Sequence, residues 1–135
     1  MIETGTQADA AAVIALWRAC GLTRPWNDPV ADFALALRSE NAVVLVVRGE
    51  NGIDGSVMTG FDGHRGWVYY LAVAPERQGS GLGRALMAAA EDWLRARGCP
   101  KVQLMVRTSN VAALGFYEAL GLERQEVVTL GRFLQ

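Results

Sequence analysis

Hydrophobic and polar positions alternate along this chain in two periods, and the changes of period mark its elements. Residues 2–4 have the extended pattern of a short strand. From Thr6 to Cys20, Val13, Leu16 and Trp17 recur at helical spacing, with Thr6 as a cap, Asp9 in the first turn and Gly21 at the end. The two prolines of Leu22 to Pro29 predict a loop. Asp28 before Pro29 predicts the cap and first position of a second helix, running to Arg38 with Phe33 and Leu37 on its apolar edge. Ala42 to Arg48 is a β-branched run and predicts a buried strand. Asn51-Gly52 is a hairpin signal, and further strands are expected over Asp54 to Phe61 and Trp67 to Val73. The three together predict an antiparallel meander.

Beyond Ser80 the helical period returns. Leu82 to Arg97 predicts a third helix with Leu86, Ala89, Ala90, Trp93 and Leu94 inward, capped by Gly98 and followed by Pro100. A strand over Lys101 to Val106 then follows a strand–helix crossover, which predicts parallel pairing with the third meander strand. Asn110 to Leu120 reads as a short final helix closed by Gly121. Val127, Val128, Leu130 and Phe133 predict a last strand over Glu126 to Leu134. Runs of strands and helices without strict alternation predict an α+β fold with a mixed sheet.

Composition narrows the function classes. The 135 residues, 51% of them hydrophobic, predict one domain, 1–135, with a sizeable core. A formal net charge of -1 offers no basic excess for nucleic acid and no patch for a membrane surface. No apolar run approaches the ~20 residues that span a bilayer, and residues 1–5 lack a signal-peptide pattern. Two separated cysteines, Cys20 and Cys99, and one histidine argue against a metal site, and reduced thiols make the cytoplasm the expected location.

The most informative stretch is Tyr70 to Ala85, where a strand runs into a glycine-rich loop and the loop opens a helix. Unpaired backbone N–H groups there converge, backed by the helix dipole, and such a spot binds phosphate. Gly79, Gly81 and Gly83 have no Cβ, so a pyrophosphate can approach the backbone closely, and Arg77 and Arg84 flank the loop. The spacing does not meet the dinucleotide fingerprint, and the Lys-Ser/Thr of a Walker A loop is absent. The plain alternative is a tight helix start with no ligand.

Gln78-x-x-Gly81-x-Gly83, preceded by Leu71-Ala72-Val73-x-Pro75, resembles the acetyl-CoA loop of the GNAT superfamily. Downstream, Asn110-x-x-Ala113-x-x-x-Tyr117-x-x-x-Gly121-Leu122 is similar to the family's second signature, and the resemblance extends from Ile2 onward. Arg24 to Pro29 and Asp62 to Gly66 look like the bacterial YpeA-type subgroup. About thirteen residues follow Leu122, where many relatives carry a longer two-strand hairpin.

The resemblance implies a twisted, mostly antiparallel sheet of about six to seven strands flanked by about four helices. It implies an N-acetyltransferase that moves an acetyl group from acetyl-CoA, without a metal, to the amine of a small molecule or peptide by direct attack in a ternary complex. It implies that Leu71, Ala72, Val73, Gln78, Gly79, Ser80, Gly81, Leu82, Gly83, Arg84, Asn110 and Phe116 bind the cofactor. The backbone N–H at a bulge by Val73 would bond the thioester carbonyl, Asn110 would bond the pantetheine, and Tyr117 would protonate the departing thiolate. A homodimer stays open.

The acceptor amine must lose a proton, and Asp28, Asp62, His64 and Glu76 are candidate bases beside a water chain. Asp28 also reads as a helix cap and His64 as a turn residue. Trp26, Trp67, Tyr69 and Tyr70 are candidates for an acceptor pocket, with strand alternation placing the two tyrosines on opposite faces. Arg24 and Arg65 are surface residues or anchors for an acidic group. Two other functions remain at this stage: an acyl-CoA sensor of the same shape without turnover, and a nucleotide-binding or interaction domain whose loop holds a different phosphate.

Overall fold

The computed structural model describes residues 1–134, in two compact units, 1–105 and 106 onward. The first unit carries five strands, β1 (Ile2–Thr4), β2 (Ala42–Gly49), β3 (Gly52–Phe61), β4 (Gly66–Val73) and β5 (Val102–Leu104), and three helices, α1 (Ala10–Ala19), α2 (Pro29–Arg38) and α3 (Leu82–Arg95). The sheet order is β1-β2-β3-β4-β5. β1 to β4 pair antiparallel, and β5 joins β4 in parallel after the α3 crossover, as the sequence predicts. The second unit contains α4 (Val111–Ala119) and the residues after it.

One face of the sheet carries α1 and α2. Val13, Trp17, Phe33, Val44 and Val46 are fully buried there. The Trp17 indole donates to Ser56 Oγ at 3.1 Å, and the Phe33 ring lies 6.0 Å from the Trp17 ring. The other face carries α3 through Leu86, Met87, Ala90 and Leu94. Ala89 and Trp93, expected inward, are only partly buried, and Trp93 carries the Arg97 guanidinium 3.5 Å above its ring. Met87 takes the core position instead. Two glycines let α3 lie close to the strands: a Cβ on Gly66 would stand 2.7 Å from Leu94 Cδ1, and one on Gly55 2.9 Å from Leu86 Cδ1. Among the described residues every buried side-chain nitrogen or oxygen has a hydrogen-bond partner.

Most predicted boundaries fall within two residues of the observed ones. The first helical turn differs: Gln7–Asp9 is a 3-10 turn, closed by a capping box between Thr6 and Asp9. The expected strand over Glu126 to Leu134 is not formed. Val127, Val128, Leu130, Phe133 and Leu134 are between 67% and 90% exposed, and no element is assigned to them. A strand needs a neighbour's backbone as well as a β-prone sequence, and the sheet accordingly has five strands and not six or seven.

Asp9 is nearly buried and accepts two hydrogen bonds from the Arg48 guanidinium, at 2.5 and 3.0 Å, and one from the Thr6 amide at 2.8 Å. The Arg48 hydrogen bonds hold the Asp9 carboxyl down at about 2. A depressed folded pKa adds stability above the unfolded value of 3.8, and that stability is lost as pH falls toward 2. Arg48→Met is therefore expected to flatten the loss of stability between pH 4 and pH 2 relative to wild type, read as denaturation midpoints across that range.

Candidate active site

The loop after β4 is a preorganised structure. β4 ends at Val73, Pro75–Arg77 forms a 3-10 turn, and Gly81 caps α3. Gly79 and Gly81 have φ of +81° and +88°, the left-handed region that glycine occupies without strain. No side chain caps the α3 N-terminus, so its first amides remain available to an anion. Ser80 Oγ donates to the Arg77 carbonyl at 2.5 Å, and the Gln78 side-chain amide donates to the Val73 carbonyl at 3.2 Å. Leu71, Ala72 and Val73 thus lead along one strand into Gln78, Gly79, Ser80, Gly81, Leu82, Gly83 and Arg84, and the structure brings this predicted group together.

Arg77 does not face outward as a free cation. It is ion-paired with Asp54. Asp54 is the extra residue of a bulge in β3, where Val47 pairs with Gly55 and Arg48 with Ile53. Its carbonyl accepts from Ala74 N at 2.8 Å, and Gly49 leaves room for its carboxylate, which a Cβ at 49 would meet. Sequence reasoning missed Asp54. Its only trace is the odd residue between the Asn51-Gly52 turn and the register that follows.

The β4 bulge lies upstream of its expected place. Met58 pairs with Tyr69 and Ser56 with Ala72, so Tyr70 and Leu71 together oppose Val57. The expectation of a bulge at Val73 is corrected to Tyr70–Leu71. Tyr70 has φ +53°, and it is the only described residue other than glycine with positive φ. Such a backbone costs on the order of 1–3 kcal/mol and needs surroundings that enforce it. Here the Tyr70 ring stacks on Trp17, centroids 3.8 Å apart and planes within 8°, and its hydroxyl donates to Asp32 Oδ2 at 2.8 Å. Burial, then Asp32, pushes the Tyr70 phenol well above its ordinary range. Asp32, in the first turn of α2, is a second residue that sequence reasoning missed.

The kink also corrects the placing of the two tyrosines. Tyr69 sits opposite Met58, and Met58 and Tyr70 both pack against the α1/α2 core, so the two rings share one face. Tyr69 remains 42% exposed.

Two of the candidate bases, Asp28 and Asp62, have other duties. Asp28 accepts from Ala31 N at 3.1 Å and caps α2. Asp62 accepts from the His64 and Arg65 amides, both at 2.8 Å, and these bonds lower its pKa. His64 and Glu76 are exposed. Arg24 donates to the Gly21 and Thr23 carbonyls and Arg65 to the His64 carbonyl, while Trp26 is exposed. Cys20 donates to the Val73 carbonyl at 3.2 Å, and burial raises its thiol.

In the second unit Asn110 caps α4, its Oδ1 accepting from Ala113 N at 3.1 Å. Phe116 meets Tyr117 edge-on, centroids 5.1 Å apart. Burial pushes the Tyr117 phenol up to about 12.

The model of the acetyltransferase (GNAT) family matches residues 10–122. The chain belongs to the GNAT family. An acetyltransferase of Pectobacterium atrosepticum is 48% identical over 128 residues, covering 95% of this chain and 91% of that protein. One from Yersinia enterocolitica is 47% identical, covering 98% and 94%. The GNAT chain described here is accordingly an acyltransferase. Among solved structures, AAC(6')-Iy bound to a CoA bisubstrate analogue has a TM-score of 0.83 at 17% identity, covering 100% of this chain and 98% of that one. The ribosomal-protein-S18-alanine N-acetyltransferase of Escherichia coli has a TM-score of 0.76 at 28% identity, covering 90% and 76%. Both share the GNAT α+β fold. No described helix is long and apolar enough to cross a membrane.

A left-handed Tyr70 reverses the usual effect of glycine in a strand. Tyr70→Gly is expected to be more stable than Tyr70→Ala by about 1 kcal/mol, where an ordinary strand position favours alanine. Urea denaturation of the two variants decides it, and the reverse order would mean an extended backbone at 70.

Proposed function

We propose that the chain transfers an acetyl group from acetyl-CoA to a primary amine by direct attack in a ternary complex. The observation that carries this reading is the β4–α3 loop, with two left-handed glycines and an uncapped helix N-terminus. Those amides suit the pyrophosphate of CoA, with Gly79, Ser80, Gly81, Leu82, Gly83 and Arg84 around it. The strand residues Leu71, Ala72 and Val73 take the pantetheine arm, and the family resemblance gives Asn110 and Phe116 a role toward the same cofactor. A backbone N–H freed at the Tyr70–Leu71 bulge bonds the thioester carbonyl and stabilises the oxyanion.

In this mechanism the lone pair of the neutral amine attacks the thioester carbon. The tetrahedral intermediate collapses with cleavage of the C–S bond. Tyr117 gives its proton to the departing thiolate, and the new amide nitrogen loses its own proton to solvent or a base. A phenol at about 12 is fully protonated at neutral pH and serves as an acid. The family's fold neighbours differ in acceptor: one was solved as an aminoglycoside acetyltransferase with sisomicin, another is named for a ribosomal-protein alanine. The acceptor follows from site residues and not from the fold. Free thiols at Cys20 and Cys99 fit a reducing cytoplasm.

Acetyl-CoA at a hundredfold excess over Kd is expected to stabilise the fold by roughly 2.7 kcal/mol. Gly81→Val and Gly83→Val should each remove most of that shift in thermal melts. Gly83 has no positive φ, so the second variant keeps its backbone and separates blocked binding from strain. A full shift in a well-folded Gly83→Val protein removes the phosphate from this loop.

Tyr117→Phe should lower kcat by ~10²–10⁴-fold and leave acetyl-CoA binding nearly intact. Rates of thiol release with an active amine, beside a binding titration, read both quantities. Wild-type turnover in the variant would return Tyr117 to a packing role.

A further inference from the structure

The β3–β4 hairpin holds a feature that the transfer chemistry leaves unused. An open cleft of about 310 Å³ is lined by Asn41, Gly60, Phe61, Asp62, Trp67 and Tyr69. Asp62 stands at its end with both carboxylate oxygens fixed. Oδ1 accepts from the His64 and Arg65 amides at 2.8 Å, and Oδ2 accepts from the Trp67 indole at 3.3 Å. The Arg65 and His64 backbone amides lower the Asp62 pKa. The Arg65 guanidinium, on the same turn, donates to the His64 carbonyl at 3.0 Å. Gly60 lies directly across from Trp67 and carries no side chain over the slot.

The rings of Trp67 and Tyr69, on one face of the sheet, beside one fixed carboxylate make a site for a cation. Ring faces attract an ammonium or guanidinium group, and the carboxylate supplies the counter-charge. An anion would meet the Asp62 charge, and a purely apolar group would leave that charge unused. The cleft also sits on the donor strand. From Trp67 to the Tyr70 bulge is three strand residues, about 10 Å at ~3.3 Å per residue.

We propose that this cleft is a cation subsite of the acceptor, holding a second ammonium or guanidinium group about 10 Å from the amine that is acetylated. The substrate class is then a diamine, polyamine or other polycationic amine. The proposal rests on reading β4 and the glycine loop as the donor site. Asp62 and the rings act by binding the far end of the acceptor and take no part in proton transfer.

The test compares octanediamine with aminooctanol, a chain of the same length that ends in a neutral hydroxyl. Thiol release from acetyl-CoA gives kcat/KM for each. Wild type is expected to favour the diamine by roughly three- to thirtyfold per reactive amine. Asp62→Asn keeps an oxygen for the turn amides, and Tyr69→Leu removes a ring that is already exposed. Both should bring the ratio toward one, and Tyr69→Phe should preserve it. Equal kcat/KM for the two acceptors in wild type overturns the subsite and leaves acetyl transfer standing. Absence of turnover with every amine counts against the proposed function, and the subsite is then read by binding alone. Octanediamine should shift the Trp67 indole N–H resonance, assigned through Trp67→Phe, to saturation in wild type and more weakly in Asp62→Asn. An indole signal that does not move overturns the proposal.

Discussion

The strained backbone at Tyr70 is the constraint on which the site depends. A tyrosine held at φ +53° would relax into an extended strand if left alone. It is held by three groups from three elements: the Trp17 ring of α1 beneath it, Asp32 of α2 on its hydroxyl, and the antiparallel ladder of β3 on either side. Trp17 is itself fixed by Ser56 of β3 and by Phe33 of α2. The α1/α2 layer therefore does more than bury apolar surface. It forces one extra residue into β4, and that residue interrupts the β3–β4 ladder next to the place where the strand leads into the glycine loop.

The loop depends on a second irregularity. An extra residue in β3 turns Asp54 toward Arg77, and Gly49 clears the space for it. Arg77 flanks the glycines in sequence and looks like a phosphate ligand. Its pairing with Asp54 makes it an anchor of the loop instead. The Gln78 side chain ties the loop back to the Val73 carbonyl, which also accepts from Cys20 of α1. The amides of Gly79 to Arg84 are thus presented from a frame that is already closed, and a ligand need not order the loop on binding.

Much of this architecture is legible in the sequence. The β-branched run from Ala42 specifies β2, Asp28-Pro29 specifies the start of α2, and the crossover after β4 specifies a parallel β5. The glycine-rich stretch locates the loop between β4 and α3. The two bulges leave almost no trace. Tyr70 in the left-handed region is not a glycine, so nothing in its type announces the kink, and strict alternation then assigns Tyr69 and Tyr70 to opposite faces. Asp54 and Asp32 acquire their roles from partners 23 and 38 residues away. The tail errs in the opposite direction. Val127, Val128 and Leu130 have the composition of a strand, but composition supplies no pairing partner.

The ionisation states also divide the labour of acid and base. The Tyr117 phenol at about 12 keeps its proton at neutral pH and is suited to give it to a thiolate. Asp62 lies at the other extreme. Its carboxyl is held below the ordinary range by amide hydrogen bonds, so it has little tendency to take a proton from an ammonium group. A base for the amine needs a pKa near the working pH, and a carboxylate stabilised in this way moves away from it. What Asp62 gains instead is a constant negative charge beside aromatic rings. Such a charge binds cations at any neutral pH and discriminates between acceptors without competing for the proton that the reaction must release. Under the proposed function, recognition and proton transfer are carried by different residues, and a change of acceptor would alter the hairpin while leaving the donor loop as it is.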